Sequence, residues 1–450
     1  MISRRDLLRG AAAGTLAARE GAAQIFGKKK KKPEINIPPP PRPNVMLVVL
    51  GDVGSWMLGC YGNQELKTPQ IDQIARGGSR FTFHFAGSTV ASAARGALLS
   101  GVRPGKLGIT EDVPAPLTGS LLSDLLAAAG YRAAFAGEWN FSGGPGSTGS
   151  KHGFSTFDPL EPTESTFGPK WVTARASAFL DQQSPAPGSG GGPAPFFLQV
   201  SYPRTRIPYA GYDPKFADLY AGATFDKLGW EPVSKRAKFG RLMFDDIRGN
   251  LAKFGAIVSA TDAEVGALMA KIDQKGLREN TLVIVTADAG FLLGRHGLWS
   301  NGLASEPDNM YDEVTGVPMI WNWPGVVPVQ GTRPETVSAL DFVPSLCDAV
   351  GATPPAGLVG QNYWPWLNAR YQAKNIGGSK APKASTVFAE WQDSVMARDA
   401  RFKLVVRGAR PAEFYDLKMD PGEKINQVGN PAFVSERQRM QQEIAEFRKS

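Results

Sequence analysis

The chain has little of the chemistry that disulfide frameworks and metal clusters need. Its 450 residues include only two cysteines, Cys60 and Cys347, and three histidines, His84, His152 and His296. Because the cysteines lie far apart in sequence, we expect neither a disulfide framework nor a thiolate metal cluster. Three histidines are also too few for a histidine-rich metal site.

Long apolar runs and a basic folded body are absent as well. No apolar run reaches the length needed to cross a bilayer, so the sequence predicts no transmembrane segment. The net charge is +8, but residues 1–43 hold ten Lys/Arg and three Asp/Glu and so carry +7 of it. The basic balance therefore belongs to a tail, and we expect no nucleic-acid partner for the folded part.

The N-terminal tail contains a motif that resembles an export signal. Ser3–Arg9 reads SRRDLLR and resembles a bacterial twin-arginine motif, and an Ala/Gly/Leu stretch follows it to Ala18. This predicts an exported, periplasmic or extracellular protein; the alternative is an ordinary basic N-terminal helix on a cytoplasmic one. We assign residues 1–33 to the export signal and basic tail, and the proline-rich residues 34–43 to a linker.

Three apolar runs predict buried strands of one sheet. The strand Asn44–Leu50 contains the unbroken apolar run Val45–Leu50 and leads to Gly51 and Asp52. Phe196–Tyr202 and Thr281–Thr286 are also predicted to be buried strands. Strands alternate with helical patterns to about residue 370, which indicates an α/β fold with a doubly wound, mostly parallel sheet flanked by helices. Ligands collect at the carboxyl ends of such strands.

The pattern changes near residue 385 to shorter strands joined by turn residues. We predict a smaller antiparallel lobe there, with domain limits of 44–375 for the α/β domain and 376–450 for the lobe. The predicted elements are Val387–Glu390, Phe402–Val406, Phe414–Leu417 and a closing helix, Phe433–Lys449.

Several stretches together match one known family in order and spacing. They are Pro43–Gly54, Gly59–Gly62, Thr68–Asp72, Ala91–Gly101, Gly137–Trp139, Asn280–Asp288, Gly294–Trp299, Trp323–Gly325, Tyr415–Leu417 and Asp420–Glu423. On these residues the chain resembles the type I sulfatases of the alkaline-phosphatase superfamily, from residue 43 to about residue 430. The resemblance implies the alkaline-phosphatase/sulfatase-like fold and descent from sulfuric ester hydrolases.

The resemblance also identifies the position of the nucleophile. In the family a cysteine, converted to formylglycine, or a serine opens the motif C/S-x-P-S-R-x-x-L-x-T-G; this chain has Ala91 there and keeps the arginine as Arg95. A methyl group cannot attack sulfur, so the nucleophile is lost. Ser92 is the alternative nucleophile, turned from that position by about a third of a helical turn.

The calcium site implied by the resemblance is half missing. Its four positions are occupied by Gly51, Asp52, Asp288 and Ala289. Calcium needs roughly six to eight oxygen ligands, so we expect no cofactor and predict that the retained half, Asp52 and Asp288, is empty of metal.

Other family positions are substituted too. Glu138 and Asn140 replace a lysine and a histidine, Arg206 replaces a histidine and Asn301 replaces a lysine. We expect Arg206, together with Arg95, to neutralise the two retained aspartates in place of the metal. The alternative is that these groups are solvated in an open cleft.

The sequence therefore predicts a sulfatase-fold protein that has lost ester hydrolysis and binds an anionic or sulfated ligand or a protein partner. One alternative is a divergent sulfuric or phosphoric ester hydrolase that uses Ser92 or another metal arrangement. A second alternative is a non-catalytic scaffold that binds a partner through the Ser184–Pro195 loop or the basic tail.

Overall fold

The computed structural model describes residues 42–112, 115–117, 119–142, 152–160, 168–184, 194–205, 209–369 and 386–450. The predicted export signal, nearly all of the linker, Arg206 and most of the Ser184–Pro195 loop lie outside these residues. Within them, no helix combines the length and the apolar character that crossing a membrane requires.

Parallel strands form the centre of the fold. The strands are Asn44–Leu50 (β1), Ser79–Phe85 (β2), Ala115–Pro116 (β3), Arg132–Gly137 (β4), Phe141–Ser142 (β5), Phe154–Pro159 (β6), Phe196–Ser201 (β7), Thr281–Ala287 (β8), Met319–Asn322 (β9), Gly331–Ser338 (β10), Val387–Trp391 (β11), Ser394–Arg398 (β12), Phe402–Arg407 (β13) and Arg410–Asp416 (β14). Eight of them make one sheet in the order β10-β2-β9-β8-β1-β7-β4-β6. In that sheet β9 runs antiparallel to its neighbours and the other pairs are parallel.

Helices cover both faces of this sheet. The α-helices of the described residues are Pro69–Arg76 (α1), Ala91–Ser100 (α2), Pro104–Leu107 (α3), Leu122–Ala128 (α4), Gly168–Asp181 (α5), Lys215–Asp218 (α6), Ile247–Gln274 (α7), Asp312–Thr315 (α8), Phe342–Val350 (α9), Trp364–Leu367 (α10) and Val434–Lys449 (α11). The last of them, α11, packs on the smaller lobe and not on this sheet. The prediction of a mostly parallel α/β sheet with a smaller antiparallel lobe is confirmed.

Strand β1 lies at the centre, hydrogen-bonded to β7 on one side and β8 on the other. Its side chains alternate between two hydrophobic cores, one on each face of the sheet, which is why the strand reads as an unbroken apolar run. Val45, Leu47 and Val49 belong to one core, and Met46, Val48 and Leu50 belong to the other.

The smaller lobe is a four-stranded antiparallel sheet in the order β11-β12-β13-β14, with α11 packed on it. Met440, Ile444 and Phe447 of the helix share a core with Leu404 and Phe414 of the sheet. Strand β12 was not predicted from the sequence, whereas β11, β13 and β14 were. The predicted boundary at residues 375–376 lies outside the described residues and stays a prediction.

A buried group of charges joins the lobe to the main domain. Lys403 Nζ, on β13, lies 2.8 Å from Asp312 Oδ1 and 2.7 Å from Glu423 Oε1, and the Lys403 side chain is fully buried. Arg398 Nε lies 3.3 Å from Asp312 Oδ2, and the Asp312 N–H donates to Glu423 Oε2 at 2.6 Å. We call these four residues the interlobe cluster. Burial raises the pKa of Glu423 to about 8, although Lys403 opposes the rise.

Four neighbouring parallel strands deliver charged residues to one edge of the sheet. Asp52 follows β1, Glu138 follows β4, Arg204 lies three residues beyond β7 and Asp288 follows β8. Because parallel strands end on the same side, these residues converge there, and the N-terminus of α2 reaches the same place through Arg95.

Candidate active site

Helix α2 carries the nucleophile position. It begins at Ala91 without a side-chain cap and ends at Ser100, followed by the C-cap residue Gly101 in the left-handed conformation with φ of 72°. Ala91 is fully buried, and its methyl group offers no nucleophile. Ser92 is also buried, and its Oγ lies 3.4 Å from both Glu111 O and Asp112 Oδ1. These contacts are too long for an activated hydroxyl, which needs a base at roughly 2.6–3.2 Å.

A buried ion pair holds Asp288. Arg95 Nη2 lies 2.7 Å from Asp288 Oδ2, with both side chains fully buried, and Arg95 Nη1 donates to the Glu138 carbonyl. The other oxygen, Asp288 Oδ1, accepts the N–H groups of Asp52 at 3.2 Å and of Ala289 at 2.7 Å. Both carboxylate oxygens of Asp288 are therefore occupied by donors of the protein itself.

The carboxyl group of Asp52 has fewer hydrogen-bond partners than that of Asp288. Asp52 has a φ of 57°, is buried, and its Oδ1 has no hydrogen-bond partner among the described residues. Burial raises the pKa of the Asp52 carboxyl well above its usual range, although the Arg204 guanidinium lowers it in part. Neighbouring carboxylates add to the rise; they are Asp288, Glu138 and Asp112.

Arg204 is the second cation of the site. Its Nη1 lies 3.2 Å from Asp112 Oδ2, its Nε lies 3.6 Å from Glu138 Oε1, and its backbone N–H donates to Glu138 Oε2 at 2.7 Å. Burial alone would lower the pKa of Arg204, but the surrounding carboxylates, Asp52 foremost, raise it above the ordinary value. The guanidinium is thus charged and in ion-pair contact with Asp112 and Glu138, while its Nε has no hydrogen-bond partner among the described residues.

The backbone of Pro203 and Arg204 fills the space that a metal-binding side chain would need at position 51. A Cβ placed on Gly51 would lie 2.6 Å from Arg204 N, 2.7 Å from Arg204 Cα and 2.8 Å from Pro203 C. Real Cβ atoms do not approach backbone so closely, and a well-packed site resists such crowding. An aspartate is therefore excluded at Gly51 unless this backbone moves.

The residues present do not fit calcium. Gly51 and Ala289 supply no side-chain oxygen, and Asp288 is held by Arg95 and by backbone donors. Among the described ranges, no group of three or more His, Cys, Asp or Glu side chains is arranged to hold a metal ion. Calcium requires roughly six to eight oxygen ligands, so the retained aspartates do not form a site for it.

A cavity of about 530 Å³ opens beside these residues. Charged and aromatic side chains both line it. Two of the aromatic lining residues are hydrogen-bonded to each other, with Trp299 Nε1 donating to the Tyr209 hydroxyl at 2.6 Å. Its lining residues are Asp52, Asp112, Arg204, Thr205, Tyr209, Phe239, Gly240, Phe291, Trp299, Ser300, Asn301 and Leu303. The cavity can hold a small molecule, but its described lining contains no activated nucleophile.

Some residues of this site were predicted from the sequence and others were not. Asp52, Asp288 and Arg95 meet at one point, while Arg206, expected as a second counter-cation, lies outside the described residues. Arg204 and Asp112 were not anticipated as site residues. The only available signal was that Arg204 comes soon after a buried strand.

Two family models match the chain. The sulfatase model covers residues 43–352, and the model described as the C-terminal part of N-sulphoglucosamine sulphohydrolase covers residues 306–450. Members of the sulfatase family generally use a divalent metal.

Individual relatives agree with these models. Arylsulfatase A of Homo sapiens is 29% identical over 442 residues, with 87% of this chain and 84% of the relative covered. An ulvan-active sulfatase of Formosa agariphila is 23% identical over 425 residues, with 88% of this chain and 78% of the relative covered.

Solved structures share the fold. One, a complex with its substrate D-glucosamine-2-N,6-O-disulfate, has a TM-score of 0.76 at 20% identity and covers 91% of this chain and 98% of its own. The phosphonate monoester hydrolase of Agrobacterium radiobacter has a TM-score of 0.68 at 20% identity, with 91% and 96% covered. Because the sulfatase model matches well over half of the chain and these folds agree with it, the chain belongs to the type I sulfatase family of the alkaline-phosphatase superfamily.

Proposed function

We propose that this chain is a sulfatase-family protein that does not hydrolyse sulfate esters and that uses its former catalytic cleft to bind a ligand. The observation that carries the proposal is the buried methyl group of Ala91 at the nucleophile position. Sulfate ester hydrolysis needs a nucleophile to attack sulfur, and Ala91 cannot form one.

The charges of the site support the same conclusion. A metal ion in such a site polarises the ester and stabilises the charge that develops in the transition state. Here Arg95 is bound to Asp288, and Arg204 is bound to Asp112 and Glu138. Both cations therefore neutralise the protein's own carboxylates instead of a reacting sulfate group.

A saccharide is the ligand class that the relatives favour. One relative is named for its action on ulvan, and one solved relative is described with a sulfated glucosamine as its substrate. The aromatic walls of the cavity are suited to the apolar faces of sugar rings. The predicted anionic or sulfated ligand and the predicted export through Ser3–Arg9 stay predictions.

Turnover assays on the purified full chain test the proposal. With 4-nitrophenyl sulfate and 4-nitrophenyl phosphate, in calcium and in chelator, we expect product formation at the rate of the buffer blank. An active arylsulfatase assayed in parallel shows that the conditions support catalysis. Turnover clearly above the blank would contradict the proposal.

A divergent hydrolase is the second candidate, and one contact favours it. Ser92 Oγ lies 3.4 Å from Asp112 Oδ1, so a modest movement of the loop would bring a carboxylate base to the hydroxyl. Turnover that is abolished by Ser92→Ala and by chelation would support this candidate. The third possibility, a scaffold that binds through the Ser184–Pro195 loop or the basic tail, concerns mostly residues outside those described.

A further inference from the structure

An exposed surface beside the cleft combines positive charge with large apolar side chains. Residues 233–242 contain four cations and no Asp or Glu. The cations are Lys235, Arg236, Lys238 and Arg241. In the same segment Val233, Phe239 and Leu242 are 41%, 51% and 75% exposed. Large apolar side chains that are exposed together in a polar surround are typical of an interaction surface.

The packing of the segment explains why two of these side chains face solvent. Ala237 is buried and belongs to a small hydrophobic core of the main domain. Gly240 has a φ of 72° and passes so close to Trp299 that a Cβ at this position would lie 2.6 Å from Trp299 Cβ. Because Ala237 and Gly240 make the inward contacts, Phe239 and Leu242 remain on the outside.

The segment keeps its positive charge because its ion pairs are few and exposed. Neither Lys235 nor Arg241 has a carboxylate partner among the described residues. The other two cations each have one long contact with a carboxylate, Lys238 with Glu306 at 3.5 Å and Arg236 with Glu413 at 3.9 Å. The Lys238 and Glu306 side chains are 45% and 73% exposed, and an ion pair so exposed contributes little.

These groups fit an anionic lipid surface better than an anionic polysaccharide. The guanidinium of Arg241 donates to the backbone carbonyls of Ala237 at 3.1 Å, Lys235 at 3.3 Å and Ser234 at 3.4 Å. Arg241 therefore adds charge but has few free donors for the directional hydrogen bonds that a sulfate or carboxylate group accepts. Leu242 has no affinity for sugar hydroxyls, whereas the boundary between lipid headgroups and acyl chains takes up an aliphatic side chain.

We propose that residues 233–242 bind this protein peripherally to an anionic membrane surface. Phe239 and Leu242 enter the boundary between headgroups and acyl chains, and the four cations lie against lipid phosphates. The inference is independent of whether the protein hydrolyses sulfate esters. Phe239 and Gly240 also line the cleft, so the bound protein holds its cleft beside the lipid headgroups.

Cosedimentation of the full chain with lipid vesicles tests the inference. In every protein compared, the five lysines at positions 28–32 are replaced with glutamine, so that the tail does not add its own attraction to anionic lipid. We expect binding to vesicles of equal parts phosphatidylglycerol and phosphatidylcholine to be at least about tenfold stronger than to phosphatidylcholine alone. Leu242→Ser should weaken this binding at least about threefold. Lys235→Gln combined with Lys238→Gln should weaken it at least about tenfold.

Matched substitutions at the opposite edge of the sheet are the controls. Val329 is 69% exposed and precedes β10, while Lys271 and Lys275 lie at the end of α7, before β8. These positions are near the amino ends of strands, whereas the cleft lies at the carboxyl ends. Val329→Ser, and Lys271→Gln combined with Lys275→Gln, should leave vesicle binding unchanged.

Three results would overturn the inference. They are no binding to the anionic vesicles, equal losses in the control and the segment variants, and tighter binding to soluble dextran sulfate than to vesicles. The third would assign the surface to an anionic polysaccharide instead. Because Leu242 is 75% exposed, Leu242→Ser should keep the thermal unfolding midpoint of the parent chain, so its loss of binding would not reflect misfolding.

Discussion

Replacing Arg95 with methionine should lower the free energy of unfolding by about 3–5 kcal/mol. The Arg95 and Asp288 side chains are both fully buried, and their terminal atoms lie 2.7 Å apart. Removing the guanidinium leaves a buried carboxylate without its charge partner, which is far more costly than losing a surface ion pair. Urea unfolding of the full chain at pH 7, followed by circular dichroism, measures the loss.

Two further variants identify the cause of that loss. The double variant Arg95→Met/Asp288→Asn should lose less free energy of unfolding than the two single variants lose together, because it leaves no unpaired buried charge. Arg248→Met, at a side chain that is 60% exposed, should change stability by no more than about 0.5 kcal/mol. Wild-type stability of Arg95→Met would mean that Asp288 does not depend on Arg95.

Replacing Lys403 with methionine should cost a similar amount, about 3–5 kcal/mol, by disrupting the interlobe cluster. Lys403 is fully buried between Asp312 and Glu423, at 2.8 and 2.7 Å. Without it both carboxylates lose their ammonium partner, and only Arg398 remains to neutralise Asp312. The expected result in the same urea experiment is a lower transition midpoint.

The pH dependence of the Lys403→Met effect distinguishes charge from packing. Burial already raises the pKa of Glu423 to about 8, and loss of Lys403 would raise it further. Glu423 therefore takes up a proton as the pH falls below about 8, so the destabilisation should shrink as the pH is lowered through that range. Lys424→Met is the matched control, because Lys424 pairs with Glu231 at a surface where 45% of its side chain is exposed. That variant should lose at most about 1 kcal/mol. Equal losses in both lysine variants, independent of pH, would contradict the role given to the cluster.

The central strands were predictable because buried parallel strands read as unbroken apolar runs. Asn44–Leu50 was placed with its observed bounds, and Phe196–Tyr202 differs from the observed strand by one residue. Strand β12 was missed because the short segment Ser394–Arg398 carries few pattern signals. Its pairing with β11 and β13 stabilises it in the folded lobe.

Site residues could be predicted from the sequence only where they directly follow a strand of the sheet, because the end of the strand then determines their position. Asp52 and Asp288 follow neighbouring parallel strands, so their convergence follows from the sheet. Arg204 could not be predicted as a site residue because the chain leaves regular structure directly after β7, where the direction of its side chain no longer follows a period of two. The close approach of the Arg204 backbone to Gly51 depends on tertiary packing, which residue patterns do not encode.

Calcium titration of the chelator-stripped full chain shows whether the retained aspartates, Asp52 and Asp288, still bind a metal ion. We expect no binding heat and no change in the thermal unfolding midpoint at millimolar calcium, because Arg95 holds Asp288 and the Arg204 backbone fills the space at Gly51. Stoichiometric binding in the range of about 10⁻⁷–10⁻⁵ M that disappears in Asp288→Asn would contradict the account.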